Sequence, residues 1–271
     1  MSDIVLSNGV RSNLLQLQQT SDLISSTQNK LATGRRVNSA LDNPINYFTA
    51  QSLNVRANDL NALLDTMSTG INTIQAANNG ISAITKLVQS AQSLVSQAQQ
   101  TSDTNVRATL ASQFDSIRSQ IDQLAGDSGI NGVNLLNGDN LTITLNETGT
   151  STVVIGGVTD KCSSALSINA SANNWAGTTD IAAASGQLTT ALVTLRSQSQ
   201  ALSSNLQTVQ VRQDFTKAMV NTLNTGADNL TLADSNEEGA NLLALQTRQQ
   251  LSTTALSLAA QADQNVLRLF Q

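Results

Sequence analysis

The sequence predicts a mainly α fold, a long antiparallel coiled-coil helix bundle with a small β-hairpin inserted in mid-chain. Three observations point there. Reading every seventh residue from Ile181 gives Leu188, Leu195, Leu202, Val209, Thr216, Leu223 and Leu230, a seam with one polar interruption. A row four residues on, Ser185, Leu192, Ser199, Leu206, Gln213, Val220 and Ala227, alternates polar with apolar. Together they form a 3-4 repeat, which winds helices about each other. Secondly, aromatics are only 2% and charged residues 12% of the chain. Thick cores lean on Phe, Tyr and Trp, whereas thin helical seams manage with Leu, Ile, Val and Ala. Thirdly, 271 residues hold a single proline, and proline costs about 3 kcal/mol inside a helix.

Taken in order, the first helix carries Val10, Leu14, Leu17, Ile24 and Leu31, with Ser21 and Gln28 at the intervening slots. Gly34 ends it. Arg35 and Arg36 then either neutralise a neighbouring helix end or chain, or sit in a solvated turn; the sequence leaves both open. Asp42 or Asn43 before Pro44 is a helix start, and a second helix is predicted over 44–100. Its seam is Leu60, Met67, Ile74, Ile81, Val88 and Val95, flanked by Leu64, Ile71, Ile84 and Ala91, with Gly70 and Gly80 expected to weaken it. After a polar break at 101–104, a shorter helix has Val106, Leu110, Phe114, Ile117, Ile121 and Leu124 on one face.

Composition shifts between Gly126 and Gly186, where nine of the 15 glycines fall. Residues 141–145 and 153–155 read as strands with Gly149 between them. They predict a hairpin capping the helices and holding Cys162 and Trp175. The 181–230 helix follows, on the order of 75 Å long at 1.5 Å per residue. A polar, acidic joint at 233–238 leads to a last helix with Leu251, Ala255, Leu258, Ala262 and Leu269 at 3-4 spacing, ending in Phe270 and Gln271. Termini fray in water, so apolar ends imply that a partner covers both.

Several classes of function are poorly served. Without histidine there is no Ser-His-Asp triad, Cys-His pair or His-bearing zinc site. Glu237 and Glu238 are helix neighbours that point about 100° apart at a joint read as exposed, so they make no acid/base pair. No catalytic, cofactor-binding or metal residue is predicted. A net charge of -5 without a basic stripe argues against nucleic acid. Cys162 is the sole cysteine and reads as a small buried residue. The start, 1–6, lacks the pattern of a cleavable signal peptide, and no run approaches a membrane span. By these rules alone the chain would be placed in the cytoplasm.

Residues 31–42, Leu-Ala-Thr-Gly-Arg-Arg-Val-Asn-Ser-Ala-Leu-Asp, resemble the N-terminal signature of bacterial flagellins. The run Ala233–Asp234, Glu237–Glu238, Asn241–Leu242, Gln246–Leu251, Ala255–Ala259 and Val266–Phe270 is similar to the C-terminal signature, and Ile130–Leu136 to the turn before the family's hairpin. The likeness covers residues 4 to 140 and 180 to 271. Pro44, Tyr47 and Phe48 resemble the alphaproteobacterial variant, and 138–186 is too short for the outer domains of large flagellins. Leu94 and Gln97 match the segment read by the animal innate receptor for flagellin, but its arginines are Ser90 and Gln92 here, which implies weak or absent receptor activation.

The resemblance implies a structural subunit of the flagellar filament, self-assembling into a helical polymer for swimming motility. It further implies export unfolded through the flagellum's own channel, which places the protein outside the cell. Implied partners are identical or sister flagellins, the export apparatus, an export chaperone, the filament cap and hook-junction proteins, with no cofactor, nucleic acid or membrane. Residues 1–40 and 235–271 would form the inner filament core, through Val10, Leu14, Leu17, Ile24, Leu31, Leu251, Ala255, Leu258, Leu269 and Phe270. Residues 41–234 would form a helical rod with its cap around 126–186. The rod seam would be Leu60, Met67, Ile74, Ile81, Val88 and Val95 against Leu188, Leu195, Leu202, Val209 and Leu223. The polar seam slots read either as a sliding interface or as exposed positions of an imperfect coiled coil. A hook-filament junction protein and a soluble coiled-coil scaffold are the alternatives.

Overall fold

The computed structural model describes residues 8–269, the side chains of 263 and 266–269 excepted. Its elements are α1 (Asn8–Thr33), α2 (Pro44–Gln100), α3 (Thr104–Asp127), β1 (Leu141–Thr144), β2 (Thr152–Ile155), a short 3-10 turn (Ala172–Trp175), α4 (Thr178–Thr231) and α5 (Ser235–Leu269). They form two compact units. One holds the chain up to Val55 and from Thr222 onward, the other Arg56–Asn221.

In the second unit, Leu60, Met67, Ile74, Ile81, Val88 and Val95 of α2 are all buried, as are Ile181, Leu188, Leu195, Leu202 and Val209 of α4. On α2 the companion row is Gly70, Ala77, Ile84, Ala91 and Ala98, small but for Ile84, so it interleaves with the large residues of the first row. Thr216 interrupts the α4 seam at little cost. Its hydroxyl donates to the Arg212 carbonyl at 2.9 Å, which hides the polar atom against its own helix. The two helices run antiparallel, since Asn78 meets Ser199 while Ser68 meets Gln213.

Asp103 caps α3, accepting from the Asn105 N–H at 2.8 Å. Leu110, Phe114 and Ile121 are buried as expected, but Val106 is 44% exposed and Arg107 takes the inward position. The reason is hydrogen bonding. Arg107 Nε donates to the carbonyls of Ala98 and Thr101 at 3.1 and 2.8 Å, and Nη1 to that of Ala176 at 3.2 Å. It thereby satisfies carbonyls orphaned at the end of α2. A strict seven-residue count, 107, 114, 121, carried that signal.

The cap opens with an Asn131-Gly132 turn, both residues at positive φ (53° and 81°). Asn134 then donates to the carbonyls of Ala125 and Gly126, each at 2.8 Å, and closes the end of α3. β1 and β2 pair antiparallel, Leu141 with Ile155 through Thr144 with Thr152. Gly70 and Gly80 are not weak points. A Cβ at Gly70 would lie 2.9 Å from Ile143 Cγ1, and one at Gly80 2.7 Å from Leu136 Cδ1. These two glycines let the cap sit directly on α2. Phe114 and Trp175 pack with ring centres 5.0 Å apart, both fully buried in the same core as Cys162.

Candidate functional site

In the first unit α1 packs on α5. The inward row of α1 is Val10, Asn13, Leu17, Thr20, Ile24, Thr27 and Leu31, which corrects the predicted slots. Leu14, Ser21 and Gln28 face outward, and Asn13, Thr20 and Thr27 take their places one residue earlier. Thr20 shows why a polar residue serves there. Its hydroxyl donates to the Gln16 carbonyl at 2.8 Å, which ties it to its own helix.

On α5 the half-buried row is Leu242, Leu245, Gln249, Ser252, Leu256 and Ala259. Leu251, Ala255, Leu258 and Ala262, the row predicted from spacing, are exposed, with Leu251 at 67% and Leu258 at 62%. Leu14, Leu15 and Leu23 of α1 add 38%, 55% and 51% exposure. Each helix therefore turns one row to its intrachain partner; α5 leaves a second apolar stripe open, while the exposed leucines of α1 are spread around its outer side. The side chain of Leu269, and Phe270 altogether, lie outside the described residues.

The joints between these helices are stitched by the backbone. Arg36 and Val37 donate to the Thr231 carbonyl at 2.8 and 3.3 Å, and Ala233 to that of Gly34 at 3.0 Å. Arg36 Nη2 reaches the Asn229 carbonyl at 3.1 Å, so Arg36 neutralises the end of α4. Lys30 pairs with Glu238 at 3.1 Å, leaving the Glu238 side chain 12% exposed, less than the reading of that joint as exposed. Asp234 caps α5 through the Asn236 N–H at 2.8 Å. Asn43 caps α2 through the Asn46 N–H at 3.0 Å. Asp42 instead braces the preceding turn, accepting from the N–H groups of Asn38 and Ser39, each at 2.9 Å. The Ser39 N–H first, then that of Asn38, holds its carboxyl below the ordinary range.

In the second unit two of the three polar slots of α4 bond across to α2. Gln213 Nε2 donates to Ser68 Oγ at 2.8 Å and Ser199 Oγ to Asn78 Oδ1 at 3.2 Å, while Ser185 is half-buried. On α2, Ser90 is exposed and Gln92 half-buried.

Chemistry-bearing groups are few. Burial, then the Asp122 charge, pushes the Cys162 thiol up to about 12, so it stays protonated and inert. Asp160 is fully buried; its Oδ1 accepts from Gln198 Nε2 at 2.8 Å, and desolvation pushes its carboxyl up to about 6. Nothing in the sequence marked that pair, because the two residues are 38 apart and belong to different elements. Among the described residues, no group of three His, Cys, Asp or Glu is placed to hold a metal ion, and no helix is long and apolar enough to cross a membrane. Among the described residues the geometry offers extended helical surfaces.

Residues 5–141 match the sequence model of a family described as the bacterial flagellin N-terminal helical region. Flagellin FljM of Caulobacter vibrioides is 31% identical over 280 aligned residues, spanning 100% of this chain and 99% of that protein. The flagellin of Brucella melitensis is 26% identical over 291, spanning 100% of both. A solved structure of Bacillus cereus flagellin overlaps with a TM-score of 0.39 at 17% identity, over 67% of this chain and 94% of that one.

Proposed function

The chain belongs to the bacterial flagellin family, and from that premise we propose how it builds a filament. Its function is that of a structural subunit of the flagellar filament, assembling with copies of itself or sister flagellins. The observation that carries this is the 31% identity to a flagellin from end to end. A likeness over the whole length favours the filament subunit over a hook-filament junction protein.

Residues 1–40 and 235–271 form the inner core of the filament, and 41–234 the helical part outside it, with the cap around 126–186. What supports this division is the open apolar stripe of α5 together with the exposed leucines of α1. Fully burying one leucine is worth about 1.5–3 kcal/mol, so Leu14, Leu251 and Leu258 together supply a substantial drive once neighbouring copies cover them. Val10, Leu17, Ile24 and Leu31 hold the two helices to each other. For Leu269 and Phe270, which belong to the C-terminal signature, the same assembly role is inferred from the sequence. Head-to-tail contacts that do not close give an open helical polymer.

The protein reaches this position outside the cell by unfolded export through the flagellum's own channel. Its further partners are the export apparatus, an export chaperone, the filament cap and the hook-junction proteins. The role is structural rather than enzymatic. Purified chain added to sheared filament seeds is expected to elongate them under the electron microscope; monomer that stays monomeric at every concentration would sink the reading.

A further inference from the structure

Charge is distributed unevenly over the second unit. From residue 66 to 100 of α2 the sole charged side chain is Lys86, and from 181 to 211 of α4 it is Arg196. Both line one open groove of about 450 Å³ between these helices, together with Ser82, Gln89, Leu192 and Gln200. Neither meets a carboxylate of its own chain, for the ion pairs among the described residues use Lys30, Arg56, Arg118 and Lys217. Two cations on an otherwise neutral stretch, in a chain of net charge -5, make a local positive focus.

One exposed carboxylate of complementary charge is Asp127. It is exposed, the last residue of α3, and absent from those ion pairs. A negative charge at a helix C-terminus opposes the helix dipole, so its own fold gains nothing from it. The position also fits. Gly80 of α2 faces the end of α3, where its Cβ would meet Leu136 and Ser128. Ser82 and Gln89, which line the groove, lie about 200° and 180° around the same helix at 100° per residue. The groove and the end of α3 therefore lie on opposite sides of α2. Opposite, complementary patches are what an open head-to-tail polymer requires, whereas a same-face pairing closes into a dimer. Of the other exposed carboxylates of α2, Asp65 precedes Lys86 by three heptads and so shares its stripe, whereas Asp59 precedes Gly80 by three heptads and lies with Asp127 on the side away from the groove.

We propose that the Lys86–Arg196 groove is a docking site for a second copy of this chain, which presents the outer face of its α3 and inserts the Asp127 carboxylate between the two cations. The inference rests on self-assembly of the chain, and the test separates the two. Wild-type protein, Lys86→Glu/Arg196→Glu, Asp127→Lys and the triple reversal are each grown from wild-type-free seeds in about 0.1 M salt, with circular dichroism melting to confirm the fold. Both parent variants are expected to elongate about tenfold more slowly, Asp127→Lys melting no lower than wild type. The triple reversal regains most of the rate, and 1 M salt narrows all differences by screening. Parent variants that elongate like wild type, or a triple reversal no faster than its parents, overturn the docking site while leaving self-assembly intact. Wild-type protein that forms no filament overturns both.

Discussion

Gln213 of α4 donates its side-chain amide to the Ser68 hydroxyl of α2 at 2.8 Å. A polar seam slot thus carries a cross-helix bond whose two partners are short, replaceable and partly wet. Such a bond contributes about 0.5–1.5 kcal/mol, little enough to be exchanged for a neighbouring register. Replacing Ser185, Ser199 and Gln213 together by leucine is expected to lock one helix packing, and filaments of the variant should show one supercoil form across pH and salt. Unchanged polymorphism under the microscope would reject a role for these slots in switching.

Leu251→Asp and Leu258→Asp separate assembly from folding. Both positions are exposed in the single chain, so monomer melting should move by no more than about 0.5 kcal/mol. Filament growth should stop, because each aspartate would be buried unpaired. Ile24→Asp, at a buried position of α1, should damage both readouts.

Gly80→Ala tests the seat of the cap. Alanine favours a helix by about 1 kcal/mol over glycine, yet its Cβ would stand 2.7 Å from Leu136 Cδ1. Overpacking of about 1–3 kcal/mol outweighs that gain, so urea unfolding should shift to lower denaturant. Gly9→Ala on α1 meets nothing within 4 Å and should be neutral or stabilising.

Asp160 makes stability depend on pH in an unusual direction. Its carboxyl moves from 3.8 to about 6 on burial, so the folded state binds the extra proton between those values. Stability therefore falls as pH rises from about 4 to 7, by up to roughly 3 kcal/mol. Asp42, whose carboxyl is held low, acts oppositely, withdrawing its contribution as pH drops below the ordinary carboxylate range. Asp160→Asn should raise the melting temperature at pH 7 and flatten the profile between pH 4 and 7; a profile identical to wild type would contradict the assignment.

We propose, from the flagellin resemblance, that Ser90 and Gln92 replace arginines of the receptor-read segment, so purified monomer should stimulate receptor-bearing cells weakly. Ser90→Arg/Gln92→Arg is expected to raise the response, and a strong response to the wild-type chain would contradict the reading.

Helix identity, order and much of the seam were legible in the chain itself, because a seven-residue apolar repeat without proline has one economical solution. Leu60 through Val95 and Ile181 through Val209 needed no tertiary information: large aliphatics at that spacing have nowhere else to go. The flagellin family was likewise readable from residues 31–42 and the last forty. Where polar residues share a seam, periodicity lost its grip. Thr20 faces inward rather than Ser21 because of where α5 lies, its hydroxyl tied back to the Gln16 carbonyl, and the inward stripe of α5 is Leu245 and Leu256 rather than Leu251 and Leu258 because of where α1 lies. Arg107, Asp160 with Gln198, and the seats at Gly70 and Gly80 belong to tertiary structure alone. Each depends on atoms distant in sequence whose approach is set by packing, and short-range spacing carries no record of that approach.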